Sequence, residues 1–172
     1  MQKIKYCYRF FVFVYFLCFD FISRCVLSLW FNTYNNRKID KKFEYGFVFT
    51  SDLGDMVIFS MFLLVFCDKI SSNCIVITSE ANARSAKSLA LGVDFLIVNY
   101  DKYKTNHFYR LLTIKKLMGI SVDQCISSMR SRDYRLTDSV SMSIRKKNSL
   151  AFSSDNSNRS QFEACIDRFI YD

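Results

Sequence analysis

The sequence predicts an α/β fold: a Rossmann-like domain whose parallel β-sheet is covered by helices on both faces. Short apolar runs of four to six residues alternate with helical segments of thirteen to sixteen residues, which is typical of βαβ units. The 172 residues, 51 % of them hydrophobic, suit one globular domain with its own core. Because parallel neighbours need right-handed crossover connections, successive units of this kind build a doubly wound sheet.

The individual elements follow from the local patterns. Five apolar or β-branched runs predict strands over residues 45–50, 73–78, 94–98, 122–127 and 149–152. Four intervening segments predict helices over residues 55–67, 79–91, 103–118 and 133–146. The first helical segment is apolar nearly all round, which is typical of a buried helix. Ser79 is predicted as the N-cap of the second, Gly92 follows it as a C′ residue, and Gly119 ends the third.

The positive charge is concentrated at the start of the chain. The net charge is +8, and residues 1–42 hold eight Lys/Arg against two Asp/Glu, whereas residues 43–172 hold sixteen against fourteen. The first 42 residues are also rich in aromatic side chains. A basic, aromatic leader on a nearly neutral domain favours an anionic membrane surface over a nucleic acid as the partner.

The apolar stretch 10–31 is long enough to span a bilayer but contains Asp20 and Arg24. These two residues are four apart and are expected to pair on a helix. Three membrane-related interpretations remain open: an in-plane interfacial helix, a transmembrane helix and a cleaved signal peptide. The fourth is a helix simply packed on the domain behind it. Residues 32–42 are polar and predict a linker, so residues 1–42 are expected to form a membrane-associating helix and linker.

Cysteine and histidine usage gives no sign of a metal site. The seven cysteines form no C-x-x-C pair, and His107 is the single histidine, so zinc-ligand spacing is missing. We expect reduced thiols that act as small buried hydrophobes. His107 is expected to be a surface residue of the basic helix 103–118, on which four cations are expected to face an anionic membrane: Lys104, Arg110, Lys115 and Lys116.

Several short motifs occur in an order that is typical of a known family. The first strand is followed by TSDLGD (50–55) and an apolar helix; then come CIVIT (74–78), VDFLI (93–97), VDQCI (122–126), SRD…DS (131–139) and KNSLAF (147–152), before Ser154-Asp155. This ordered set resembles glycosyltransferase family 9, the ADP-heptose:lipopolysaccharide heptosyltransferases and their relatives in surface-polysaccharide synthesis. Met61 stands where the family has a proline, and Ala151 where it has a glycine.

The resemblance implies the GT-B arrangement of two Rossmann-like domains, of which this chain matches the N-terminal, acceptor-side one. Residues 43–158 would form that domain, and residues 159–172 would begin the connection to a second domain that binds the donor. The implied reaction transfers a heptose-like sugar from a nucleotide-sugar co-substrate to a lipid-linked acceptor, at the cytoplasmic face of the inner membrane, with the protein peripheral or single-pass. No cofactor, metal or nucleic acid is implied. The chain is expected to be inactive alone: it is either a remnant without activity or works with a separately encoded C-terminal half.

The resemblance also assigns site residues. Asp55 matches the carboxylate proposed as general base, and Gly54 would let the backbone approach the ligand. Ser51 and Asp52 line the same loop and are expected to contact the acceptor. Arg130 and Arg132, which follow the fourth strand, are expected to bind an acceptor phosphate or carboxylate. Taken without the resemblance, Asp55 is also the acid expected in a first helical turn, the loop residues suit a turn, and the arginines suit a solvated surface. The alternative function is a non-enzymatic membrane-tethered interaction module.

Overall fold

The computed structural model describes residues 2–34, 41–88, 93–128 and 134–151. Its helices are α1 (Gln2–Tyr34), α2 (Leu53–Lys69), α3 (Glu80–Ser88), α4 (Tyr100–Thr105), α5 (His107–Met118) and α6 (Ser139–Ser143). Its strands are β1 (Lys41–Val48), β2 (Cys74–Thr78), β3 (Asp94–Ile97), β4 (Ile120–Ser127) and β5 (Arg145–Ala151). A π-helical turn, Tyr134–Asp138, runs directly into α6.

The five strands form one sheet in the order β3-β2-β1-β4-β5, and all neighbours are parallel. This confirms the predicted α/β class and parallel sheet, and the order is consistent with a Rossmann-like domain. The chain moves outward from β1 to β2 and β3, then returns to add β4 and β5 on the other side of β1. The strand order therefore reverses between β1 and β4, which is where ligands bind in sheets of this kind.

The two faces of the sheet carry separate cores, because successive side chains of a strand point to opposite sides. Phe47 and Phe49 belong to the core beneath α2 and α3, which we call the α2 face. Val48 belongs to the core beneath α4, α5 and α6, which we call the α5 face. Helix α1 packs outside α5, and its Leu27 joins the core of the α5 face. The helices α1 and α2 therefore lie on opposite sides of the sheet.

The predicted linker and the predicted third helix both differ from the structure. Helix α1 extends to Tyr34, and β1 begins at Lys41, so of the expected linker only residues 35–40 lie outside the described elements. The segment 103–118 is two helices, because Asn106 separates α4 from α5. The Asn106 side chain accepts a hydrogen bond from the Tyr109 backbone N–H (3.0 Å). It is therefore an N-cap, where the sequence offered no Gly or Pro to mark a break.

The bounds of the last helix and the last strand also differ from the prediction. The polar segment 133–146 forms only the π-helical turn and α6, which ends at Ser143, and β5 begins at Arg145, four residues earlier than predicted. β5 pairs with β4 from Arg145 opposite Ser121 to Ala151 opposite Ser127. Its first half is charged because it is an edge strand, for which an apolar run is not required.

Asp20 of α1 is completely buried, and its partner is Arg110 of α5 rather than Arg24. The guanidinium donates from Nε to Asp20 Oδ1 and from Nη2 to Oδ2, both at 2.6 Å. The Ser139 hydroxyl donates to the same carboxylate at 2.6 Å. Arg24 instead donates from Nε to the Asp20 backbone oxygen (3.1 Å). The predicted Asp20–Arg24 pair is wrong because a partner 90 residues away offers a bidentate geometry inside the protein.

Arg110 is also misassigned to a membrane-facing surface. Its side chain is fully buried between α1 and the rest of the domain, where it lies over the rings of Phe16 and Tyr103 at 4.8 and 4.4 Å from their centroids. His107 is exposed, as predicted, but its Nε2 lies 3.0 Å from the Tyr15 hydroxyl of α1. The first turn of α5 therefore contacts the middle of α1.

The outward side of α1 is apolar. Its exposed large side chains are Phe11, Tyr15, Phe21, Ile22, Val26 and Leu29, whereas Asp20 and Ser23 are buried. The polar stripe of the helix thus faces the protein and the apolar stripe faces solvent. Among the described helices, none combines the length and the apolar character needed to cross a membrane.

Helix α2 is buried on one side only, so the prediction of a fully buried helix is wrong. Its buried side consists of Met56, Phe59, Ser60, Leu63 and Phe66. The opposite side is equally apolar but exposed, with Ile58 and Met61 at 70 % and 65 % exposure. The sheet supplies apolar partners to a single side of the helix, and the other described elements leave the second side open.

The described cysteines are likewise partly buried and partly exposed. Cys74 and Cys125 are buried, as predicted, and Cys67 is half-buried. Cys18 and Cys25 lie on the exposed side of α1, so the expectation of burial is wrong for these two. All five are free thiols; Cys165 and the side chain of Cys7 lie outside the described part of the chain.

Candidate functional site

The candidate site lies at the carboxyl ends of β1 and β4, where the strand order reverses. Strand β1 ends at Val48 and β4 at Ser127, and these two residues are directly opposite each other. The loop from β1 to α2 begins here, so the start of α2 points at the same crevice. The structure therefore places the predicted loop, residues 50–55, at the edge where a parallel sheet binds ligands.

Two side chains from neighbouring elements hold this loop in place. The Tyr100 hydroxyl donates to the Phe49 backbone oxygen (2.6 Å). The buried Asn82 amide donates to the Ser51 backbone oxygen (2.9 Å) and to the Thr78 hydroxyl (3.2 Å). Burial raises the pKa of Tyr100 to about 12. The loop backbone is thus anchored at two residues, Phe49 and Ser51.

Asp55 lies in the first turn of α2, with its side chain exposed and hydrogen-bonded by the Ser51 hydroxyl. A carboxylate in this position interacts favourably with the helix dipole. It also remains accessible as a hydrogen-bond acceptor for a ligand hydroxyl, which is what a general base requires. The position of Asp55 therefore suits both an acid in the first turn of a helix and a general base. Its catalytic role stays a prediction.

The wall of the crevice on the β4 side is rich in hydroxyl groups. The Thr50 hydroxyl lies 2.6 Å from the hydroxyl of the buried Thr137, which ties the loop to the π-helical turn. The Ser128 hydroxyl donates to the Val48 backbone oxygen (3.2 Å). The hydroxyl of Ser127 is buried and finds no hydrogen-bond partner among the described residues. These hydroxyl groups therefore tie the carboxyl ends of β1 and β4 to the π-helical turn.

The other predicted site residues differ in how they are placed. Asp52 is exposed and its backbone oxygen accepts from the Met56 N–H (3.2 Å), so it begins α2. Gly54 is exposed, and a Cβ there would meet nothing within 4 Å. A close approach of a ligand remains its predicted role, because packing within the protein does not demand a glycine. Arg130 and Arg132 lie outside the described residues.

Gly46, which was not singled out from the sequence, is a glycine that the packing of the sheet requires. A Cβ on Gly46 would lie 2.9 Å from Cγ1 of Val122, which is buried in the neighbouring strand. Gly46 therefore permits β1 and β4 to pack beside the crevice. The sequence analysis also missed Asn82, Tyr100 and Thr137. Asn82 and Tyr100 share a signal of position: each is a polar residue shortly after a strand, which in a parallel sheet places it at the carboxyl edge. Thr137 lies in the π-helical turn, well after β4, and carries no such signal.

Across residues 2–34, 41–88, 93–128 and 134–151, no three His, Cys, Asp or Glu side chains are grouped so that they could hold a metal ion. The site as described combines one hydroxyl-paired carboxylate, a second exposed carboxylate at Asp52 and a wall of hydroxyls. Such a site can accept protons and hydrogen bonds from a hydroxylated ligand.

Comparison of the chain with protein-family models, with curated protein sequences and with solved structures finds no match.

Proposed function

We propose that this chain is the acceptor-side, Rossmann-like domain of a GT-B glycosyltransferase that resembles family 9. It binds a lipid-linked saccharide acceptor of lipopolysaccharide or surface-polysaccharide synthesis, and a second domain supplies the nucleotide-sugar. The observation that supports this most directly is the exposed Asp55 carboxylate at the reversal of strand order. It lies on a loop whose backbone is held by Asn82 and Tyr100.

In the proposed reaction the acceptor hydroxyl oxygen forms a bond to the anomeric carbon of the donor sugar. The bond from that carbon to the diphosphate oxygen breaks, and the diphosphate keeps the electron pair. Asp55 accepts the hydroxyl proton, and Ser51 orients the carboxylate through the hydrogen bond between them. Arg130 and Arg132 follow β4 in the sequence and are proposed to bind the acceptor phosphate.

The test compares the chain alone with the chain combined with a donor-binding C-terminal domain. The 172-residue protein alone is expected to bind rough lipopolysaccharide but to release no ADP from ADP-heptose. When it is combined with the C-terminal domain of a family 9 heptosyltransferase, ADP release is expected. Asp55→Asn should then lower kcat by about 100-fold or more, because a general base contributes that much.

Asp68→Asn is the matched control, since Asp68 is an exposed carboxylate at the other end of α2. It should leave both binding and kcat unchanged. Full activity of the Asp55→Asn protein would remove Asp55 from the base role. Turnover by the chain alone, or failure to bind the acceptor, would contradict the acceptor-domain proposal.

A membrane-tethered interaction module is the second candidate function, supported by the outward apolar side of α1. In this proposal α1 lies in the membrane interface, with its polar side on the domain and its apolar side toward lipid. Phe21→Glu should weaken co-sedimentation with anionic phospholipid vesicles about tenfold or more, the equivalent of one exposed apolar side chain. Ile58→Glu is the control, because Ile58 is as exposed but lies on α2, on the opposite side of the sheet.

The module proposal without catalysis requires vesicle binding but no acceptor binding. Acceptor binding that is lost in the Asp55→Asn protein would favour the glycosyltransferase proposal over it.

A further inference from the structure

The outward side of α2 is a continuous apolar surface that faces away from the sheet. Its central residues are Ile58, Met61, Phe62 and Val65, which are 70 %, 65 %, 49 % and 62 % exposed. At about 100° per residue these four follow one another along a single stripe of the helix. The buried residues of α2 occupy the opposite side, which packs on the sheet.

The size of this surface suits a protein partner. Three further exposed apolar side chains lie along one flank of the stripe: Leu53, Val57 and Leu64. A half-exposed side chain of this size leaves on the order of 100 Å² in solvent, so the seven together leave roughly 700 Å². That area exceeds the largest apolar patch of most monomers, about 300–600 Å². It is close to the area of about 800 Å² that each partner contributes to a standard interface.

The charges of α2 favour a protein over an anionic membrane as the partner of this surface. The charged residues of the helix are Asp55, Asp68 and Lys69, so its formal charge is negative. A helix that lies in a membrane interface is instead rich in Lys and Arg. Helix α1, with four Lys/Arg against one Asp, has that character, and α2 does not.

The same charges make the surface complementary to itself. Lys69 falls within about 20° of Ile58 on the helical projection, so it continues the stripe at its end, and Asp55 lies at the beginning of the helix. When two copies of α2 pack antiparallel, the first turn of one lies beside the last turn of the other, and Asp55 comes next to Lys69 of the second copy. Asp55 and Asp68 project to opposite edges of the stripe, and a two-fold axis brings like edges together, so these two acids stay apart. The arrangement also sets opposite ends of the two helix dipoles side by side.

We propose that two copies of this chain associate through the outward sides of their α2 helices, antiparallel about a two-fold axis near Met61 and Phe62. Ile58 of each copy packs against Val65 of the other. This inference goes beyond the proposed function and does not rest on it. A carboxylate offers about four acceptor positions, so Lys69 of the second copy leaves the Asp55 carboxylate accessible to a ligand. Lipid or a different protein on this surface are the competing outcomes.

The first experiment measures the mass of the full chain by light scattering across a dilution series. The parent protein is expected to have twice the 20.3 kDa of one chain. Ile58→Glu should raise the dimer dissociation constant about 100-fold or more, because the two-fold axis buries the introduced charge twice. Ile22→Glu is the matched control, since Ile22 is also exposed but lies on α1, and it should leave the constant unchanged. Circular dichroism checks that both variants are folded.

A second set of variants tests the charge pairing without changing the apolar stripe. Lys69→Glu should raise the dissociation constant up to about tenfold, because two exposed ion pairs are lost. Combining it with Asp55→Lys restores opposite charges and should return the constant to the parent value. Lys102→Glu is the control, since Lys102 is an exposed lysine of α4 on the other face of the sheet.

Disulfide cross-linking tests the antiparallel direction. With an added oxidant, Met61→Cys should link to the same residue of a second copy. Mixed Ile58→Cys and Val65→Cys chains should link to each other rather than each to itself, and peptide mass spectrometry identifies the linked pairs. Phe108→Cys, as exposed as Ile58 but on α5, should not link.

Three results would overturn the proposal: a monomeric parent protein, a dimer that is unaffected by Ile58→Glu, or self-linking of Ile58→Cys. A monomeric parent that binds phospholipid vesicles, and loses that binding in the Ile58→Glu variant, would show that lipid occupies the surface instead.

Discussion

The helices α1 and α2 are both apolar enough to look buried, yet they are attached to the domain by different means. α1 turns its few polar residues inward, where the buried Asp20 pairs with Arg110 and Ser139. α2 turns apolar residues inward, onto Phe47 and Phe49 of the sheet. Both leave an apolar side in solvent. Mean hydropathy therefore does not tell which side of a helix the protein covers; a partner on the neighbouring element decides it.

The largest expected change in the free energy of unfolding comes from the buried ion pair of Asp20 and Arg110. Asp20→Ala leaves the Arg110 guanidinium buried without its carboxylate, and we expect a loss of about 3–5 kcal/mol in the free energy of unfolding. The double variant Asp20→Leu, Arg110→Met should recover most of that loss, because no charge then remains buried. Urea unfolding measures both. The exposed pair Lys41–Asp94 (3.1 Å) is the control, and Asp94→Ala should cost at most about 1 kcal/mol. Equal losses at both pairs would contradict the inward attachment of α1.

Two neighbouring leucines of α2 test whether only one side of this apolar helix is buried. Leu63 is completely buried, whereas Leu64 is 41 % exposed. Leu63→Ala should lower the free energy of unfolding by about 2–5 kcal/mol, because it opens a cavity beneath the helix. Leu64→Ala should lower it by less than about 1 kcal/mol. Chemical denaturation of the two variants gives the difference directly. A large loss at Leu64 would show that the outward side of α2 is covered in solution.

The buried Tyr103 is expected to make the stability of the α1 side depend on pH. Burial raises its pKa to about 12, from an ordinary value of 10.0. The unfolded chain therefore loses this proton first, and the stability that Tyr103 contributes is present below pH 10 and is lost as the pH rises toward 12. Each unit of pKa difference corresponds to about 1.4 kcal/mol, so the loss is at most about 3 kcal/mol.

The measurement compares the pH dependence of unfolding for the parent and Tyr103→Phe. The variant should lose less stability between pH 10 and 12, and at neutral pH it should lose about 1 kcal/mol with the bond to Ser139 (2.8 Å). Tyr100→Phe tests the loop beside α2, where the pKa is raised equally. An identical alkaline slope for parent and Tyr103→Phe would contradict burial of Tyr103 at the α1 side.

The smallest expected effect concerns two glycines, one in the sheet between the faces and one at the start of α2. Gly46→Ala brings a methyl group within 2.9 Å of Val122, and we expect it to cost about 1–3 kcal/mol. Gly54→Ala meets no neighbour within 4 Å, and we expect a change of less than about 0.5 kcal/mol, or a slight gain. Thermal unfolding compares them. Acceptor binding that fails in Gly54→Ala without any loss of stability would support close approach of a ligand there.

Much of the fold was predictable because it depends on local patterns. The alternation of apolar runs and helical segments predicts the parallel sheet, and Ser79 does cap α3, accepting from the Asn82 N–H (3.3 Å). Gly119 ends α5 as predicted. The loop of Ser51 and Asp55 was predictable as part of the carboxyl edge, because its position follows from strand and helix order alone.

Other features depend on contacts between distant residues, and the sequence does not encode them locally. The break at Asn106 is not of this kind, because its side chain caps α5 locally by accepting from the Tyr109 N–H three residues on, and the prediction of one helix over 103–118 overlooked it. Asn82 and Tyr100 become part of the site only because three strand ends meet at one edge. The anchoring of the loop was therefore not predictable from spacing.

The sequence by itself determined the fold class, the order of the elements and the place of the Asp55 loop, since each of these follows from periodicity along the chain. The tertiary structure alone decided that Asp20 is buried and that its partner is Arg110. Spacing favours Arg24, four residues away, but a charge is buried only where the folded chain supplies a bidentate partner and further hydrogen bonds. The same reason explains why α2 exposes an apolar side: burial depends on the neighbours that the fold provides.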